Sequence, residues 1–107
     1  CNWFEFLTHL RILFAGKYHR KIDIVLDRER VEQVEFLKNG DWKEVDCKYS
    51  TVPAAIIPQQ IAQYVSQYYP DTSVVQIDRD KRDYEVKLTN GLELTFDLKF
   101  NLIDIDD

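Results

Sequence analysis

The chain has no methionine, three glycines, three prolines, two cysteines and two histidines among 107 residues. Each shortage excludes something. Gly16, Gly40 and Gly91 stand far apart, so no glycine-rich loop can cradle a phosphate. So few glycines and prolines leave no stretch that reads as a flexible linker. His9 and His19 have no Cys, Ser or carboxylate at the spacing of a triad or a metal clamp. A G-x-S-x-G elbow is absent, and Ser50, Ser66 and Ser73 read as a cap, a helix position and a turn. No apolar run approaches the roughly 18 residues of a membrane-spanning helix, and no basic segment leads into an apolar one. Lysine and arginine number 14 against 19 acidic residues, a net charge of −5, without the clustering that phosphate backbones require. Nucleic acid is therefore not an expected partner, no transmembrane segment is expected, and neither catalysis nor a cofactor is indicated.

Without methionine the sequence does not open at a translation start, so something upstream is expected to have been removed. Cys1 is what a processed lipoprotein would show, which would make it a lipid anchor; an arbitrary boundary explains it equally. Cys1 and Cys47 lack the close spacing of a zinc site or a redox dithiol. A disulfide between them would close a loop of about 47 residues and stabilise the fold by ~4 kcal/mol in the chain-entropy picture. The preferred reading is one buried thiol and one mobile terminal thiol.

With 45% apolar and 13% aromatic residues, the composition is that of one packed domain spanning 1–107. Ile57, Ile61, Tyr64, Val65 and Tyr68 recur at helical spacing, which predicts an amphipathic helix over Pro53 to Tyr69. Ser50 or Thr51 can cap its first turn, Pro58 predicts a break near Ile57, and Pro70 ends it. The pattern then changes to period two. Tyr84, Val86 and Leu88 form one face of a strand, and Leu92, Leu94 and Phe96 form a returning one. Asn90-Gly91 between them predicts a type I′ turn with positive φ at both residues. Val74 to Arg79 and Leu102 to Asp106 complete a four-strand meander after the helix.

The same grammar appears earlier in the chain. At an offset of 60, Val34 overlies Leu94, Phe36 overlies Phe96, Trp42 overlies Leu102, Val45 overlies Ile105 and Asp46 overlies Asp106. At 62, Ile22, Ile24 and Leu26 overlie Tyr84, Val86 and Leu88, with a longer loop at Asp27 to Arg30 absorbing the change. Trp3, Phe6, Leu7 and Leu10 form a helical stripe that stands for the back half of a first helix. The expected fold is α+β: tandem helix-plus-antiparallel-meander repeats, an incomplete one over about 1–47 and a second over about 48–107. They would form one sheet of about eight strands with the helices on one face. Glu85, Lys87, Thr95, Asp23 and Glu44 fall on the other face, which is left open.

The segments Trp42-Lys-Glu-Val-Asp-Cys47, Val52-Pro-Ala-Ala-Ile-Ile-Pro58 and Tyr84-Glu-Val-Lys-Leu-Thr-Asn-Gly-Leu-Glu-Leu-Thr-Phe-Asp97 resemble the PepSY-like family of exported bacterial proteins. The likeness runs from about Ile22 to Asp106 and departs from the pattern in the first 20 residues and at Asp27 to Arg30. It implies a fold similar to the β-lactamase inhibitory protein, with helices against a continuous antiparallel sheet, and a periplasmic or secreted location. No catalytic residues come with it, and some members are described as calcium-regulated.

Three aromatics are candidate binding residues, Trp42, Tyr49 and Tyr69, since a flat apolar body with a polar tip suits an interface. Trp42 is read first as core, like Leu102, which leaves the two tyrosines at the rim. Asp104, Asp106 and Asp107 could offer oxygen ligands to Ca²⁺, although alternating Asp on an edge strand also serves to discourage edge pairing. The mixed charges from Asp78 to Asp83 read as a solvated hairpin tip. The expectation is a non-enzymatic module that binds a protein or peptide outside the cytoplasm, an inhibitor-like role included; the alternative is a calcium-responsive or small-ligand-sensing domain.

Overall fold

The structure, a computed structural model, describes residues 20–27, 29–39 and 41–107. Cys1, both histidines, the stripe of Trp3, Phe6, Leu7 and Leu10, and the first-copy helix lie outside the described residues. Seven strands form one antiparallel sheet in the order of the sequence: β1 (Arg20–Val25), β2 (Val31–Phe36), β3 (Trp42–Asp46), β4 (Val74–Arg79), β5 (Asp83–Leu88), β6 (Glu93–Asp97) and β7 (Leu102–Asp106). About eight strands were expected, and the described residues form seven.

Between β3 and β4 the chain makes a 3-10 turn at Ala54–Ile56 and then the helix α1 (Gln59–Tyr68). The break comes where Pro58 demands it, because proline cannot donate to the preceding turn. Ser50 does not cap this segment. Its hydroxyl donates to Glu32 Oε2 at 2.9 Å, and the Tyr49 amide donates to the same oxygen at 3.0 Å, which satisfies a carboxylate that is only 1% exposed. Ile61 and Val65 of α1 are buried, and Tyr64 meets Phe96 edge to face at 5.4 Å, so the helix lies on one sheet face. Tyr68, expected on the same stripe, is 56% exposed because it sits in the last turn beyond the sheet contact.

The core is the helix-side face of the sheet: Val34 and Phe36 of β2, Val45 of β3, Ile77 of β4, Val86 and Leu88 of β5, and Leu94 and Phe96 of β6. Alternation alone assigns these, since a one-residue slip would turn each set to water. The 60-residue offset holds in the register. Val34 pairs with Val45 and Phe36 with Trp42, as Leu94 pairs with Ile105 and Phe96 with Leu102, and each ladder carries its irregularity just before the phenylalanine. The 62-residue offset does not hold. Arg20 faces Phe36 and Tyr84 faces Phe96, so β1 aligns with β5 at 64, and the first hairpin is four residues longer rather than two.

The turn at Asn90-Gly91 also differs from expectation. Gly91 has φ +89°, whereas Asn90 is not at positive φ. The Gly91 amide donates to Leu88 O and the Leu88 amide to Leu92 O, which makes a three-residue loop: a type I turn closed by one left-handed residue. Asn90 contributes by accepting the Leu92 amide on Oδ1. The β6–β7 loop repeats the pattern with Phe100 at φ +67° in the glycine's place. Cys47 is buried and disulfide-bonded, which corrects the reading of a free buried thiol.

Candidate functional site

Opposite α1, the register lines up the outward side chains in two rows that cross the sheet. One runs Lys21, Glu35, Glu44, Asp78, Glu85, Thr95, Asp104 from β1 to β7. The next runs Asp23, Gln33, Asp46, Gln76, Lys87, Glu93, Asp106. Nine carboxylates therefore share the two rows with two lysines. Directly opposed like charges destabilise a sheet, and here Glu35, Glu44, Asp78 and Glu85 follow one another across four strands. At a strand spacing of about 4.8 Å they span roughly 14 Å.

Some of the repulsion is relieved locally. Lys43, the extra residue where β2 and β3 slip register, reaches Asp78 with Nζ at 3.2 and 3.4 Å from the two oxygens. Gln76 Nε2 donates to Glu44 at 2.6 Å, and Gln33 Nε2 to Asp23 at 2.8 Å. Burial opposes the charge on Lys43, but Asp78, with Glu35 and Glu44 behind it, outweighs this and holds its pKa above the ordinary lysine value. Asp78 itself is pushed up by burial, helped by Glu44 and Asp80 and opposed by Lys43. Both directions fit a pair in which one cation serves several acids. Glu85 is raised by the low solvation of its head group and then by Asp83, Asp78, Asp80 and Glu93, although the residue as a whole is exposed. Asp46 is raised by burial against the pull of Lys48. A shallow groove of about 150 Å³ runs between these groups, with Glu44, Gln76, Asp78, Glu85, Lys87 and Glu93 in its walls.

The five residues expected on the open face are all there. Glu35, Asp46 and Asp78 join them there, although the sequence marks Asp46 only for its offset from Asp106 and Asp78 only as part of a hairpin tip. Asp78 belongs to β4 and is partly buried, so the solvated tip is only Asp80 to Arg82. The three candidate aromatics lie apart, and no ring contact joins any two of them. Trp42 packs against the core from the start of β3, Tyr49 is 43% exposed in the loop after β3, and Tyr69 follows α1, half-buried beside Tyr64. Asp104 and Asp106 lie at the β7 end of the two rows, with Asp107 just beyond the strand and all three exposed. Among the described residues no group of three His, Cys, Asp or Glu side chains is placed to hold a metal ion. No helix of the described residues is long and apolar enough to cross a membrane.

A helix over one face of a sequential antiparallel sheet, with a disulfide-bonded Cys47 buried in its core, fits a domain of an oxidising, extracytoplasmic compartment. The chain belongs to the PepSY-like family: a family model described as beta-lactamase-inhibitor-like, PepSY-like matches residues 20–104. It is similar to a Bacteroides vulgatus ATCC 8482 structure named as a periplasmic protein of the DUF2874 family (47% identity, TM-score 0.73, 85% of this chain and 70% of that one). A Bacteroides thetaiotaomicron periplasmic protein, whose name proposes calcium regulation, is 51% identical with a TM-score of 0.70 over 81% of this chain and 75% of its own. A second B. vulgatus periplasmic protein, of unknown function, is 33% identical with a TM-score of 0.69 over 81% and 68%. No curated protein matches. The family and these neighbours place the chain in the periplasm.

Proposed function

We propose that this chain is a non-enzymatic periplasmic binding module whose open sheet face docks a cationic protein or peptide segment. One observation carries the reading: the uninterrupted row Glu35, Glu44, Asp78, Glu85, which opposes like charges across four strands. A partner bearing lysine or arginine along an extended segment would neutralise that row, so binding and relief of repulsion act in the same direction. The shared offset of 60 in register supports a further reading, that the sheet arose by duplication of one helix-plus-meander unit.

The experiment is an NMR titration with a lysine-rich peptide, compared with a glutamate-rich peptide of equal length. Shifts at Glu44, Asp78, Glu85 and Glu93 that weaken steeply with salt, and weaken again in Glu44→Gln/Glu85→Gln, are expected. Absence of salt-sensitive shifts on this face would refute the docking role. The calcium reading draws on the name of the B. thetaiotaomicron relative and on the same acidic rows. It predicts instead that millimolar Ca²⁺ alone raises the melting temperature, as any ligand of the native state must.

A further inference from the structure

Two cations near the acidic face, Arg79 and Lys81, have no ion-pair partner among the described residues. Where β3 begins and β4 ends, a cavity of about 580 Å³ is walled by Leu37, Asp41, Lys43, Arg79, Asp80 and Lys81. That volume lies within the range of small-ligand pockets. Its wall is mainly apolar, from Leu37 and the aliphatic stems of the long cationic side chains.

Arg79 is fixed in place from two sides. Its guanidinium lies 3.8 Å from the centroid of the Trp42 indole, and its Nε donates to Trp42 O at 2.9 Å. These contacts leave both terminal NH₂ groups without a partner among the described residues. A guanidinium held this way loses little freedom when it binds, and its planar fork matches a carboxylate. Lys81, on the exposed hairpin tip, has no ion-pair partner among the described residues either. The other charges are committed. Lys43 serves Asp78, Asp80 Oδ1 accepts the amides of Arg82 and Asp83 at 2.7 and 3.1 Å, and Asp41 is partnered too.

We propose that this cavity is a binding site for a small monoanionic carboxylate with an apolar body, its oxygens taken by Arg79 and Lys81 and its body lying along Leu37. The wall's three cations, Lys43, Arg79 and Lys81, exceed its two carboxylates, Asp41 and Asp80, by one charge, which suits a monoanion and disfavours a phosphate dianion. None of the four row carboxylates lines the site, which meets the acidic face only through Lys43, the partner of Asp78.

The test uses hexanoate as the probe, with hexanamide and inorganic phosphate as comparisons, read by ¹H–¹⁵N NMR of the whole chain. Hexanoate should shift the amides of Leu37, Arg79 and Lys81 saturably in the millimolar range, while hexanamide leaves them in place. Lys81→Gln, on an exposed tip where folding is not at stake, should weaken hexanoate about tenfold, and Arg79→Lys should do the same by removing the fork. Shifts that do not saturate, that hexanamide reproduces, that phosphate exceeds, or that survive both substitutions would each overturn the proposal.

Discussion

Phe96 shows how much one side chain carries. It is 0% exposed, meets Tyr64 edge to face, and occupies the position in β6 that Phe36 holds in β2. Phe96→Ala is expected to cost about 3–5 kcal/mol in urea unfolding, since the cavity cannot collapse between sheet and helix. Glu85 makes the opposite case. Its carboxylate has Asp78 directly across the ladder and Asp83, Asp80 and Glu93 nearby, so Glu85→Gln should raise stability by about 0.3–1 kcal/mol at neutral pH. A loss of stability there would mean that the row is not repulsive. Cys47 adds a covalent constraint at the residue scale. The native protein should show no titratable thiol at Cys47, and reduction should lower stability by about 2–5 kcal/mol.

At the scale of elements, strands and helix were legible because burial imposes periods of 2 and 3.6 that survive in the sequence. Register was only partly so. The β2–β3 and β6–β7 ladders kept one offset because their loops are of equal length, whereas β1 was misplaced by two residues because loop length cannot be read from alternation. Asn90-Gly91 announced a turn but not its type, since a two-residue and a three-residue loop can share that pair. Gly91 is the residue that needs the left-handed region, and a Cβ there would meet nothing within 4 Å. Gly91→Ala should therefore cost about 1 kcal/mol through φ alone, and Gly91→Asn should recover most of it in thermal melts. The acidic rows and the Trp42–Arg79 stack were hidden for a different reason. Both depend on β3 lying beside β4, a pairing closed across the whole of residues 47–73, and no local pattern encodes it.

For the molecule as a whole, the titrating groups set a pH optimum. Asp46, Asp78 and Glu85 have folded pKa values above their unfolded ones. The stability they contribute is complete below the ordinary carboxylate range and is lost as pH rises through the raised values. Asp27, Asp80 and Asp97 are lowered, first by backbone amides of Glu29, Arg82 and Asn101 respectively, so their contribution holds above that range and is lost as pH falls. The two trends predict greatest stability in mild acid, at about pH 5, with a lower urea midpoint at about pH 7.5. Added salt should narrow the difference by screening the rows. A midpoint that climbs steadily to neutral pH would contradict the assignment of the acidic face.

The strand order carries a consequence for how such a chain acquires its shape. Among the described residues each strand pairs only with its neighbours in sequence, and every ladder except one closes over a short loop. A polypeptide emerging amino end first into the periplasm can add β2 to β1 and β3 to β2 as each appears, with no strand waiting for a distant mate. The exception is β3 with β4, which must search across the helix and its approach. Because ring-closure entropy has to be met before that contact is rewarded, its formation should limit the folding rate. Substitutions at Val45 and Ile77, the facing pair of that ladder, should then slow folding more than they hasten unfolding.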